Sequence, residues 1–142
     1  MQQPSYYDLT MLTTIGQAID GMAESANDLY ASLQAAKTQP TVLDDATVGR
    51  LITLYTEQQE DYPLYAEQLR RWLLASPTPP QRASIERLRV VLEQMTLTVK
   101  RLLALAHKLS QFTIERVMAM SDEQVGILTM TGGFHIIEDT EQ

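Results

Sequence analysis

The sequence contains no cysteine, and this single absence removes several classes of site. Disulfides, thiolate zinc sites and cysteine nucleophiles are all excluded, while the redox compartment stays undecided. Histidine is nearly as scarce, with His107 and His135 the two copies. No Glu-x-x-His pair occurs, although carboxylate-bridged metal sites in helical bundles use that pair. We therefore expect no metal, no cofactor and no catalytic residue.

Basic residues are outnumbered, with 11 Lys and Arg against 18 Asp and Glu and a formal net charge of −7. Nonspecific nucleic-acid binding needs a basic field, so we expect no nucleic-acid partner. No stretch of about 18 uncharged apolar residues exists, so we expect no membrane span. Residues 1–8 carry no basic residue and no apolar run, which does not fit a secretory signal. The expectation is a cytoplasmic protein.

Glycine and proline are also few, at six residues each, and most of them lie at the edges of periodic segments. This placement is typical of an all-helical protein, and 142 residues suit one domain. The strongest pattern is residues 85–109, where apolar residues recur at alternating spacings of three and four. This stripe consists of Ile85, Leu88, Leu92, Met95, Val99, Leu102, Ala106 and Leu109.

Further apolar residues lie on the flanks and back of the same segment, among them Val90, Val91, Leu97, Leu103, Ala104 and Leu105. A helix that is apolar over most of its circumference is either the centre of its domain or part of an oligomer interface. We therefore expect a homo-oligomer, most simply a homodimer. The segment 82–108 holds six Lys or Arg against two Glu, and we interpret this charge as a polar face beside acidic neighbours.

The fold expected is all-α, an up-down-up antiparallel bundle of three long helices. An irregular lead-in, residues 1–7, precedes helix A at 8–36. Helix B covers 44–75 and contains Pro63, which removes one backbone hydrogen bond. Because the heptad phase is the same on both sides of Pro63, we predict one kinked helix. Helix C covers 79–109, begins with a capping box and is followed by a break near 110–113.

One or two short helices are predicted over residues 113–130, followed by an acidic tail at 134–142. Gly16 and Gly21 lie inside helix A, where glycine costs roughly 1 kcal/mol relative to alanine. The interpretation that we prefer is close approach of another helix at these two positions.

Four aromatic residues of helix B share one stripe around Pro63, namely Tyr55, Tyr62, Tyr65 and Trp72. Aromatic side chains with polar tips suit interfaces, so this stripe is the candidate partner-binding site. The alternative is that the four side chains fill the bundle core, which is the more common role of an aromatic stripe.

Arg101 and His107 are separated by five residues, and this spacing resembles the signature of HEPN-type ribonucleases, which are small helical bundles. The resemblance implies metal-independent RNA cleavage with both side chains near the scissile phosphate. Leu102, which follows the arginine, departs from the polar residue usual in that family. An unbroken helix also rotates by about 240° over six residues, so the two side chains would diverge.

Glu57, Glu60 and Asp61 form an acidic cluster, similar to those with which helical pyrophosphohydrolases hold magnesium. Such enzymes need a second acidic pair on the next helix, where this chain offers Glu86 and Glu93 seven residues apart. A solvated face is therefore the preferred interpretation of the cluster.

The function expected is a non-catalytic protein-interaction or assembly module, such as an adaptor, a regulatory subunit or a small acidic chaperone. The alternative is a helical-bundle hydrolase, either a HEPN-like ribonuclease using Arg101 and His107 or a metal-dependent nucleotide hydrolase using Glu57, Glu60 and Asp61.

Overall fold

The computed structural model describes residues 6–39 and 42–119, and every regular element in these two ranges is a helix. The α-helices are α1 (Leu12–Ala35), α2 (Asp45–Gln59), α3 (Tyr62–Leu73), α4 (Pro79–Leu109) and α5 (Ile114–Met118). Short 3₁₀ turns flank α1 at both ends, and another follows α4. The chain therefore has the all-α fold that its periodicity indicates.

Helix α4 is the longest element, and local sequence signals define its start. The Thr78 side chain accepts from the Gln81 backbone N–H at 3.3 Å, and the Gln81 side chain accepts from the Thr78 N–H at 2.8 Å. Pro79 takes the first helical position, where its missing N–H costs no hydrogen bond. The eight residues of the stripe at 85–109 are all buried, each at most 5% exposed.

The other helices pack around α4, which contacts each of α1, α2 and α3 more extensively than these three contact one another. Helix α1 runs in the same direction as α4, since Thr13 shares a groove with Ser84 and, further along both helices, Asp28 shares a groove with Arg101. Helices α2 and α3 run in the opposite direction, because Asp45 at the start of α2 bonds to Thr113 just beyond the end of α4, and α3 ends a short turn before α4 begins. Helix α4 is thus the central element of the domain.

Two helices, α2 and α3, stand where the heptad phase predicted a single kinked one. Glu60 and Asp61 separate them, and both N–H groups donate to carbonyls three residues back, Glu57 and Gln58 respectively. Pro63 lies in the first turn of α3, the position in which a helix tolerates proline. The prediction of one kinked helix B is therefore corrected to a helix, a two-residue turn and a second helix.

Tyr7 is held against α3 by hydrogen bonds between its backbone and side chains of that helix. The Gln68 side chain accepts from the Tyr7 N–H at 2.7 Å and donates to the Tyr7 carbonyl at 3.2 Å. Trp72 Nε1–H donates to the same carbonyl at 2.9 Å, and the Arg71 guanidinium lies 4.1 Å from the centre of the Tyr6 ring. These contacts connect Tyr6 and Tyr7 to α3, which also carries the core residues Leu69 and Trp72.

At the other end, α5 packs onto the start of α2. The Thr113 hydroxyl is fully buried and donates to Asp45 Oδ1 at 2.6 Å, while the Ile114 N–H donates to the Leu43 carbonyl at 2.9 Å. The Asp45 N–H donates to Glu115 Oε1 at 2.9 Å. The remainder of the predicted short helices and the whole acidic tail at 134–142 lie outside the described residues.

The two glycines of α1 have different surroundings. A Cβ at Gly16 would lie 3.1 Å from Leu88 Cδ1, so this glycine does permit close helix approach. A Cβ at Gly21 would meet no atom within 4 Å, so the expectation of close packing there is wrong. Among the described residues, no helix is long and apolar enough to cross a bilayer.

Candidate functional site

The aromatic stripe expected to bind a partner lies largely inside the protein. Tyr55, Tyr62 and Trp72 are 6%, 4% and 2% exposed, while Tyr65 is half-buried and packs against the core. The Tyr62 hydroxyl donates to Gln58 Oε1. The three most buried rings, those of Tyr55, Tyr62 and Trp72, have almost no exposed surface that a partner could contact. Their main role is therefore to fill the core between α2, α3 and α4.

The environment of these tyrosines also fixes their protonation state. Burial raises the pKa of Tyr62 to about 12, with smaller contributions from the neighbouring Tyr55, Tyr65 and Asp61. Burial likewise raises the pKa of Tyr55 and, together with Asp61 and Tyr7, that of Tyr65. All three hydroxyls are therefore neutral near pH 7, and none is poised to act as a general base there.

Arg101 and His107 do not converge. Both are exposed, and α4 continues without interruption between them. Their side chains therefore leave the helix about 120° apart. A shared phosphate would need both cations on one side of a pocket, and this arrangement does not provide that.

The acidic residues of the predicted magnesium cluster lie on the solvent side of the turn between α2 and α3. Glu57, Glu60 and Asp61 are all exposed. Within residues 6–39 and 42–119, no group of three or more Asp, Glu, His or Cys side chains is arranged to hold a metal ion. The cluster therefore has the geometry of a solvated face.

A different surface, on α4, combines apolar and charged residues in ordered rows. Val90, Leu97 and Ala104 recur every seven residues, and Leu97 lies about 140° around the helix from Leu92 and about 160° from Met95. This apolar row is thus opposite the buried stripe, yet Val90 is 52% and Leu97 50% exposed. That position on a helix ordinarily carries polar side chains.

Charged residues border the apolar row on both sides. We call the whole surface the α4 outer face, and each of its residues is exposed. Its apolar row consists of Val90, Leu97 and Ala104. The α3-side row consists of Glu86, Glu93, Lys100 and His107, and the α1-side row consists of Arg87, Gln94, Arg101 and Lys108. The apolar breadth of this segment was predictable from its sequence, and the seven-residue spacing of Val90, Leu97 and Ala104 was the signal for its outer side.

Grooves flank the α4 outer face on both sides, and Leu97 lines each of them. The groove toward α3 has an apolar floor that includes Tyr62, Leu69 and Leu92, and Lys100 lies on its rim. The groove toward α1 brings Glu24 and Asp28 to the same side as Arg101. Leu97 therefore stands at the centre of a broad surface with mixed charge.

Ion pairs orient charged side chains beside these grooves. The Arg87 guanidinium donates to both Asp20 carboxylate oxygens at 3.0 Å, and these bonds hold the pKa of Asp20 below its ordinary value. On α3, hydrogen bonds from Arg70 and, to a smaller extent, from Arg71 lower the pKa of the Glu67 carboxyl to about 2. These pairs are exposed, so they orient side chains more than they stabilise the fold.

Comparisons with protein-family models, with curated proteins and with solved structures found no match. The interpretation of the surface therefore rests on its geometry and chemistry.

Proposed function

We propose that this chain is a non-catalytic protein-interaction module, of the adaptor, regulatory-subunit or small-acidic-chaperone kind, with the α4 outer face as its contact surface. The observation that carries the proposal is the apolar row. Val90 and Leu97 are each about half exposed on the side of α4 that faces away from the core. Association is the process that would cover them.

Burial of the apolar row would contribute favourable free energy to the binding of a partner. Complete burial of a Val or Leu side chain contributes about 1.5–3 kcal/mol. Covering the exposed halves of two such side chains would therefore contribute roughly 2 kcal/mol to the free energy of association. Interfaces typically combine an apolar centre with a polar, charged rim. The two flanking rows supply such a rim, and the acidic and basic residues at the two ends of the α3-side row would select the orientation of a partner.

The scaffold under this surface supports the same function. Helix α4 is continuous over 31 residues and is fixed by a capping box at its start. Its opposite side is buried along the whole stripe 85–109, so the outer face is presented on a rigid rod about 46 Å long. A surface that is already ordered loses little conformational entropy on binding.

The hydrolase alternatives have less geometry to support them. Arg101 and His107 diverge on a regular helix, and Glu57, Glu60 and Asp61 are exposed with no second acidic group arranged against them among the described residues. In the interaction proposal Arg101 and His107 have a different role, as members of the charged rows.

The test is site-specific photo-cross-linking in the native host. The photoreactive residue p-benzoylphenylalanine replaces Leu97 in one variant and Leu54 in the control, since Leu54 is similarly exposed at 54% but lies on α2. The proposal expects a defined protein adduct at position 97 that is missing at position 54, with its mass and identity given by mass spectrometry. No adduct at position 97, or the same adducts at both positions, would overturn it.

A further inference from the structure

The α3-side row of the α4 outer face divides its charge along the helix. Glu86 and Glu93 occupy the N-terminal half of the row, and Lys100 and His107 occupy the C-terminal half. Leu97 stands close to the midpoint. A row with acidic residues at one end and basic residues at the other complements a reversed copy of itself.

We propose that the partner of the α4 outer face is a second copy of this chain, packed antiparallel through α4 about a two-fold axis at Leu97. This inference rests on the function proposed above. In this register Leu97 meets Leu97 of the second copy, and Val90 meets Ala104. The interface is isologous, as a two-fold axis requires.

Charge pairing favours this antiparallel register over a parallel one. On the α3-side row, the antiparallel register sets Glu93 against Lys100, and the two-fold axis makes this ion pair occur twice. The same register places Glu86, which pairs with Arg89 of its own chain at 3.4 Å, opposite His107. A parallel two-fold register would instead set the α3-side row of one copy against the α1-side row of the other, so that Lys100 would meet Arg101. Like charges placed opposite each other disfavour that arrangement.

The α1-side row is compatible with the same register. It places Gln94 opposite Arg101, with Glu24 of α1 lining the same groove as these two residues. Arg87 comes opposite Lys108, but Arg87 is already paired with Asp20 by two hydrogen bonds. The local charge that Lys108 meets is therefore close to neutral.

Cysteine cross-linking tests the register directly, because the natural sequence holds no other thiol. Disulfides need Cα atoms about 4.4–6.8 Å apart. Leu97→Cys should form a covalent dimer on mild oxidation, and a mixture of Val90→Cys with Ala104→Cys should form the mixed dimer. Val90→Cys alone should not, because its two copies would be about 21 Å apart along the helix axis.

Charge exchange tests the proposed ion pairs in solution. Glu93→Lys and Lys100→Glu should each raise the dissociation constant of the dimer about tenfold, since each places like charges opposite one another twice. The double variant Glu93→Lys/Lys100→Glu restores the pairing and should return the constant to within about threefold of the natural value. Arg50→Glu, an exposed charge reversal on α2, is the control and should have no effect.

Sedimentation equilibrium supplies the masses, with 16.0 kDa for one copy. A single copy at every concentration up to about 1 mM overturns the inference. Faster cross-linking of Val90→Cys alone than of the mixture also overturns it, because that result indicates a parallel register. If the chain is monomeric but position 97 still cross-links to another protein, this inference fails while the proposed function stands.

Discussion

The side chain of Gln68 forms a two-point hydrogen-bonded pair with the backbone of Tyr7, 61 positions earlier in the chain. Its Oε1 accepts from the Tyr7 N–H at 2.7 Å and its Nε2 donates to the Tyr7 carbonyl at 3.2 Å. Gln68 itself is 5% exposed, so this polar group is buried and its hydrogen bonds are satisfied by the Tyr7 backbone. A glutamine of α3 thereby holds Tyr7 against the core.

Replacing this glutamine with leucine should destabilise the fold by about 1–2 kcal/mol, because the Tyr7 N–H loses its acceptor while the Tyr7 carbonyl keeps the Trp72 donor. Urea unfolding measures the free energy, and hydrogen exchange of the Tyr7 amide should become faster. The exposed Gln17, changed to leucine in the same way, should alter the free energy by less than about 0.5 kcal/mol. Unchanged protection of the Tyr7 amide in Gln68→Leu would contradict the assignment.

The glycines of α1 give a second prediction. Gly21→Ala should raise the free energy of unfolding by up to about 1 kcal/mol, because alanine favours the helix and its Cβ would meet open space. Gly16→Ala gains the same propensity but sets its Cβ 3.1 Å from Leu88 Cδ1, so its net effect should be smaller or unfavourable. Urea unfolding of both variants measures the difference, and a more stable Gly16→Ala than Gly21→Ala would refute this comparison.

Alkaline pH should destabilise the protein through Tyr62. An unfolded chain releases the tyrosine proton near pH 10, whereas burial raises the pKa of Tyr62 to about 12 in the fold. The unfolded state therefore binds fewer protons between these values, and the stabilising contribution, present in full below pH 10, is lost as the pH rises toward 12.

Tyr62→Phe cannot ionise, so its free energy of unfolding should fall less steeply over this range than that of the natural protein. Each ionising tyrosine contributes a slope of up to about 1.4 kcal/mol per pH unit. The same pair measured at pH 7 is the control, since it isolates the lost hydrogen bond to Gln58. Identical slopes in the two proteins would show that Tyr62 is not the group responsible.

Much of the fold follows from short-range patterns in the sequence. The start of α4 is set by Thr78, Pro79 and Gln81, and its buried side by a spacing that continues to Leu109. The break between α2 and α3 is harder to predict from the sequence. Glu60 and Asp61 keep right-handed helical dihedral angles, so Tyr55 and Tyr62 remain in phase and both are buried. Periodicity therefore does not distinguish a kink from a two-residue turn.

The candidate site was harder to predict than the fold because burial depends on tertiary packing. Tyr62 and Leu97 both belong to apolar patterns on long helices, yet Tyr62 is 4% exposed and Leu97 is 50% exposed. Which side of α4 remains uncovered depends on where α1 and α3 pack, and the sequence of α4 alone does not contain that information. The sequence thus indicated the apolar breadth of α4, whereas three of the four aromatic residues of the candidate partner-binding stripe lie in the core.

The last prediction concerns the junction between α2 and α5. Thr113 is fully buried, and its hydroxyl donates to Asp45 Oδ1 at 2.6 Å. Thr113→Val keeps the shape of the side chain but removes this donor, so it should destabilise the fold by about 1 kcal/mol. Because the Ile114 N–H is bonded to the Leu43 carbonyl beside it, exchange of that amide should accelerate. Thr113→Ser retains the hydroxyl and should preserve more of the amide protection than Thr113→Val. If serine accelerates exchange and valine does not, the packing of the Thr113 methyl group, and not its hydrogen bond, holds α5 to α2.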